Sequence, residues 1–225
     1  MLAKDGTPME QLTQWLKDFR RAPERRAEMM LYVSLAFNLV YAAFNLIMGG
    51  WFHSPWMIGL GAYYGMLAVM RFLLMRRLRK GTDDQSWAAY RGTAFLLLAL
   101  TIVISGIITA TYHLNKTYDY PGMLVYAFAA FAFGKIISVS VSLIKKRREE
   151  NRVLAAARCV SFAHALMSIL ALQVALINRF GADDPGFART MNGIIGAVIC
   201  LLDIGMAVYM LIKSGKALKR IGGIG

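Results

Sequence analysis

Acidic side chains are scarce in this sequence: 13 Asp and Glu stand against 26 Lys and Arg, a formal net charge of +13. Cysteine is scarcer still, with Cys159 and Cys200 alone. Neither has a Cys or His at metal-ligand spacing and both fall in apolar stretches, which excludes a disulfide framework and leaves two small buried side chains. Histidine is limited to His53, His113 and His164, and no His-Glu-x-x-His run is present, so zinc-protease chemistry is excluded. There is no Gly-rich phosphate loop, no nucleophile with a base at motif spacing and no carboxylate pair suited to flank a cleft. Neither enzymatic activity nor a cofactor or resident metal is expected.

Charge is also missing from long stretches of the chain. Apolar residues make up 57% of it, and they gather in blocks instead of alternating with polar ones at a period of two or 3.6. Six blocks, 29–48, 57–75, 93–112, 123–144, 153–178 and 190–213, reach the roughly 20 residues a helix needs to cross hydrocarbon. Open strands cannot satisfy their backbone groups there. The fold class is therefore an all-α integral membrane bundle of six spans. The first block begins too far from the start, behind a charged stretch containing Pro23, for a cleaved signal peptide, and no processing is expected.

The cations set the orientation. Lys4, Lys17, Arg20, Arg21, Arg25 and Arg26 precede the first span; Arg76, Arg77, Arg79, Lys80 and Arg91 fill the second connection. Lys145, Lys146, Arg147, Arg148 and Arg152 fill the fourth, and Lys213, Lys216, Lys219 and Arg220 the tail. The three opposite connections, 49–56, 113–122 and 179–189, hold only Lys116, Arg179 and Arg189. This bias places both termini on the cytoplasmic side of what is read as a bacterial cytoplasmic membrane. The cations hug the span ends, where an anionic inner leaflet attracts them, and no aromatic-basic platform accompanies them, so no nucleic-acid partner is expected.

Residues 1–28 form a prelude. Met9, Leu12, Trp15, Leu16 and Phe19 recur at three- and four-residue steps between polar residues, which reads as a cytoplasmic amphipathic helix on the inner leaflet or as a partner-docking helix, ended by Pro23. Spans 29–213 then fall into three hairpins with outer turns at Pro55, Pro121 and Pro185. Residues 214–225 are a short tail too Gly-rich to make a core.

Ionisable groups inside spans are costly and ask for a partner or a role. Lys135 and Asp203 each lie about ten residues from a basic span end, hence near the midplane. They read either as a static ion pair between the fourth and sixth spans or as a gated proton or ion site. His164, midway along the fifth span, is a hydrogen-bonded packing residue or a proton acceptor. Asn38 and Asn45, seven apart, share a face of the first span and are available to neighbouring helices. Arg71 and Arg158 sit near the inner surface and are expected to snorkel out to it.

The first hairpin carries Asn38, Asn45, Gly49 and Ser54; Arg91 and Gly106 follow on the third span, and Asn192, Gly196, Ile199, Gly205, Ser214 and Leu218 on the last. This pattern resembles the transmembrane domain of the cation diffusion facilitators across most of residues 30–220. The resemblance implies six spans with both ends inside and transport of a small cation. The family's second-span metal ligands would fall at Ala62 and Met66 and the fifth-span ones near Ser161 and Ala165, with His164 one step away. No carboxylate or imidazole stands at the second-span pair, Asp83-Asp84-Gln85-Ser86-Trp87 replaces the His-rich loop, and the cytosolic dimerisation domain is missing, which leaves the membrane domain as the surface for a homodimer. The expected function is a divergent, proton-coupled small-cation transporter without the usual metal site, using Lys135, Asp203 and His164 and flanked by Asn38 and Asn45. The alternatives are a non-transporting membrane scaffold and a solute-binding subunit of a larger transporter.

Overall fold

The computed structural model describes residues 23–80, 83–114, 152–180 and 185–222, with isolated positions at 9, 133, 134 and 137. Five helices fill the continuous segments: α1 (Pro23–Trp51), α2 (Pro55–Lys80), α3 (Asp83–Leu114), α4 (Arg152–Phe180) and α5 (Pro185–Gly222). The shortest has 26 residues and the longest 38, about 39 and 57 Å of helix, and all five are long and apolar enough to cross a membrane. The span expected over 123–144, Lys135 within it, and the surface helix expected over the first 22 residues lie outside the described residues, apart from those isolated positions.

Helix starts are written locally. Pro23, Pro55 and Pro185 each open a helix, where the missing N–H is not needed and the fixed φ is already helical. Pro23 thus begins α1, and residues 23–28 belong to the spanning helix. Residues 214–222, read from the sequence as tail, continue α5. Between α1 and α2 the chain reverses in three residues. The Phe52 N–H donates to Met48 O at 2.9 Å and the Ser54 N–H to Gly49 O at 2.9 Å, while His53 takes a left-handed φ of 48°. This is the geometry that closes a helix C-terminus. Ser54 then caps α2, its Oγ accepting from the Met57 N–H at 3.5 Å.

α2 packs against α1, α3 and α4, and α5 packs against α3 and α4. The inner stripe is apolar: Leu60, Tyr63, Leu67 and Met70 of α2, Leu97, Leu100 and Ile104 of α3, Met167 and Leu170 of α4 and Met210 of α5 are fully enclosed. α4 contributes Ala156, Ala157, Ala163 and Ala165 among its buried positions, small side chains that let helix backbones approach where lipid gives no hydrophobic drive. The outer faces of α1 and α5 present Val33, Phe37, Val40, Phe44 and Leu201, Val208, Ile212, as a lipid-facing surface would.

Glycines fix the register. A Cβ on Gly61 would lie 2.6 Å from Leu46 Cγ, and one on Gly49 2.8 Å from the Ile58 backbone nitrogen. Between α3 and α5, a Cβ on Gly196 would collide with Ile108. Gly49→Val is expected to lower thermal stability in detergent by about 1–3 kcal/mol through overpacking against backbone that cannot yield. Gly65→Ala, with nothing within 4 Å of its Cβ position, should leave the melting temperature unchanged or raise it; equal losses in both would remove the packing argument.

Candidate functional site

Hydroxyl groups inside the bundle settle their hydrogen bonds on their own helices. Thr93, Thr101, Ser105, Thr109, Ser161 and Ser168 each donate to the carbonyl four residues earlier, at 2.8–3.0 Å. Against this background the remaining polar groups stand out, and they gather at one depth.

The antiparallel register sets that depth. Gly196 of α5 faces Ile108 of α3, and Cys200 Sγ lies 3.6 Å from Ser105 Oγ one turn on. Continuing the register by a further turn brings Asp203 level with Thr101, both buried. On the other side, Tyr63 of α2 donates its hydroxyl to Ala163 O of α4 at 2.8 Å. Tyr63 also lies within electrostatic reach of both Asp203 and Arg71. Beside it, Tyr64 stacks edge-on against His164 at 5.2 Å between ring centroids and against Tyr41 of α1 at 4.5 Å. One layer of side chains from five helices therefore crosses the middle of the bundle.

Asp203 is 0% exposed, and neither carboxyl oxygen has a hydrogen-bond partner among the described residues. His164 is held at 1% exposure by the Tyr64 edge. The structure brings these two sequence-selected residues into the same layer. Asn38 and Asn45 share the buried face of α1, as their spacing implies. Asn45 Nδ2 turns back to Tyr41 O at 2.8 Å, whereas both amide atoms of Asn38 lack a partner. Neither asparagine hydrogen-bonds to another helix among the described residues. Lys135 lies outside them.

Arg71 departs from expectation. Instead of snorkelling it is 4% exposed, with Nη2 donating to Ser161 Oγ at 3.4 Å and Nε without a partner. The reason is direction. Side chains on a helix lean toward its N-terminus, and the N-terminal end of α2 is Pro55, away from the basic end of the bundle. Arg71 is thus carried inward toward Tyr63, while Arg158 on the oppositely running α4 leans toward the basic end and stays partly exposed. Sequence reading missed Arg71 and Tyr63 as site residues. The available signal was the α2 stripe of Tyr63, Leu67, Met70 and Leu74, on which Arg71 also falls.

The positions matching metal ligands in the cation diffusion facilitators do not make a site here. Ala62 is exposed, Tyr63 and Tyr64 having taken the inward face of α2, and Met66 is half-buried. Among the described residues no three His, Cys, Asp or Glu side chains come together.

A buried carboxyl with no donor lowers stability by about 1–3 kcal/mol. Asp203→Val, of similar volume, is accordingly expected to raise the melting temperature of the purified protein. A fall of several degrees would show that Asp203 holds two helices together as a structural pair.

No protein-family model, curated protein or solved structure matches the chain. The likeness to cation diffusion facilitators accordingly remains one of residue pattern, and the arguments for function rest on the layer around Asp203.

Proposed function

We propose that the chain is a proton-coupled membrane transporter in which Asp203 takes up and releases the coupling proton at the bilayer midplane. The observation that carries this reading is the enclosure of Asp203 without a donor. An ionised carboxylate in that position is penalised by several kcal/mol, so it holds a proton or a cation unless the protein rearranges around it. A group whose charge state is tied to the arrangement of its neighbours is what coupling requires, and intramembrane ionisable residues mark such pathways. The small cation expected from the sequence is, on this reading, the proton, which the enclosed Asp203 carboxyl can hold without further ligands.

The surrounding groups have roles. Tyr63, anchored on Ala163 O, is within electrostatic reach of both Asp203 and Arg71. His164, braced by Tyr64, is the second group able to accept a proton. In the full architecture proposed, six spans place both termini on the cytoplasmic side, supported by the cation bias of the connections.

Reconstituted protein under an imposed pH gradient, with an internal pH dye, is the test. Sodium, potassium, zinc, manganese and a mixture of small organic solutes are supplied outside. Wild type is expected to move protons with at least one of them, and Asp203→Asn to reduce the rate by about 100-fold, while Asn38→Ala retains it. Proton movement in wild type that persists undiminished in Asp203→Asn contradicts the assignment. No movement with any solute returns the chain to the scaffold reading.

A further inference from the structure

Two buried groups of opposite type lie within electrostatic reach of Tyr63, and each lacks a full set of partners among the described residues. Asp203 has no donor; Arg71, 4% exposed, has a hydroxyl at 3.4 Å on Nη2 and nothing on Nε. No carboxylate of the described residues touches the guanidinium. Within the described spans 28–51, 55–78, 86–110, 152–177 and 186–219 the acidic residues are Glu28, at the first turn of its span, and Asp203.

A guanidinium carries its charge at any accessible pH and presents a planar fork of donors that matches a carboxylate with two parallel hydrogen bonds. Such a fork, buried with an unused donor, is an anchor suited to an anion. Burial of an uncompensated guanidinium is penalised as heavily as that of a carboxylate.

Charge balance sets the valence of that anion. Tyr63 and Tyr64 of α2, Tyr41 of α1, His164 of α4 and Cys200 of α5 are counted in their neutral forms, and Thr101 and Ser105 of α3 bring no charge. With Asp203 ionised, Arg71 and Asp203 sum to zero. A proton on Asp203 leaves one positive charge, and a monovalent anion on Arg71 restores zero. A sodium or potassium ion on ionised Asp203 leaves the same positive charge, which the same anion cancels, but such an ion needs several oxygen ligands and the described residues bring none to the carboxyl, whereas a proton needs none. The uncharged states of the described site are thus the empty one and the one holding a monovalent anion with one monovalent cation, for which the proton is the better fit. Neutral states are the ones a bundle in hydrocarbon can rearrange at low cost.

We infer that Arg71 and Ser161 form the binding subsite for a small monocarboxylate, moved together with the proton on Asp203. This deepens the proposed function and rests on it. Arg71 supplies the fork through Nε and Nη2, and the Ser161 hydroxyl, now accepting from Nη2 and donating to Ala157 O at 3.0 Å, positions it.

The test uses the full chain in liposomes with labelled pyruvate, lactate and glycolate as probes, chloride as an inorganic anion control, and valinomycin with potassium to clamp the voltage. Wild type is expected to take up at least one carboxylate with protons in a one-to-one ratio, at a rate indifferent to the clamped voltage. Arg71→Gln should abolish carboxylate uptake. Arg71→Lys keeps the charge but loses the fork, and should raise KM by about tenfold or more with kcat less affected. As a readout independent of flux, the same carboxylate should raise the melting temperature of purified wild type and of Asp203→Asn but not of Arg71→Gln. If Arg71→Gln fails to fold, Arg71→Lys and the melting shift decide alone. Proton movement that depends on Asp203 but is driven by sodium, potassium or a divalent ion, with no carboxylate effect, overturns this inference and leaves the transporter reading standing. Absence of both flux and melting shift in wild type overturns both.

Discussion

Hydrocarbon offers no hydrogen-bond partner, so every polar group placed in it has to be satisfied by the chain itself. The hydroxyl groups of the bundle obey this constraint. Serine and threonine hydroxyls turn back to carbonyls on their own helices, Asn45 does the same through its amide, and Tyr63 spans from α2 to Ala163 of α4. Gln173 reaches from α4 to Met191 O at the start of α5. The groups that break the rule are informative: among the described residues Asn38, Arg71 through Nε and Asp203 are buried with unpartnered atoms. Of these, Arg71 and Asp203 are ionisable, and the functional account follows from that pair.

The same constraint shapes the packing. Without a hydrophobic drive between helices, close approach and dispersion hold the bundle. Gly49, Gly61 and Gly196 occupy contacts that no side chain could enter without displacing a neighbour. These contacts set the vertical register, and the register in turn places Thr101, Tyr63, His164 and Asp203 at one level. Sequence, packing and site are linked at this point: a glycine on α5 determines which residues of α3 Asp203 meets.

Much of this was legible in the sequence. Apolar blocks separated by basic clusters marked five described helices, because length and hydropathy alone decide whether a helix suits a bilayer. Their ends were less legible: Pro23 reads as a terminator until the following turn shows it at a first helical position, and α5 runs on through Gly222 because Ser214, Ala217 and Leu218 still have bundle to pack against. Asp203 and His164 stood out as charge and imidazole in apolar surroundings. Arg71 did not, because its distance from the basic end suggested an exit to water. Only the direction of α2 reveals that its side chain leans inward. The bond from Tyr63 to Ala163 O was equally hidden, since it depends on two helices whose relative rotation no periodicity encodes.

The central claim is that Asp203 changes protonation state as the protein works. Infrared difference spectroscopy on the reconstituted protein, stepping pH downward, reads this directly through the carbonyl stretch of a protonated carboxylic acid in an apolar setting. The account predicts a reversible band of this kind in wild type that disappears in Asp203→Asn and persists in Asn38→Ala. Identical difference spectra for wild type and Asp203→Asn would contradict it.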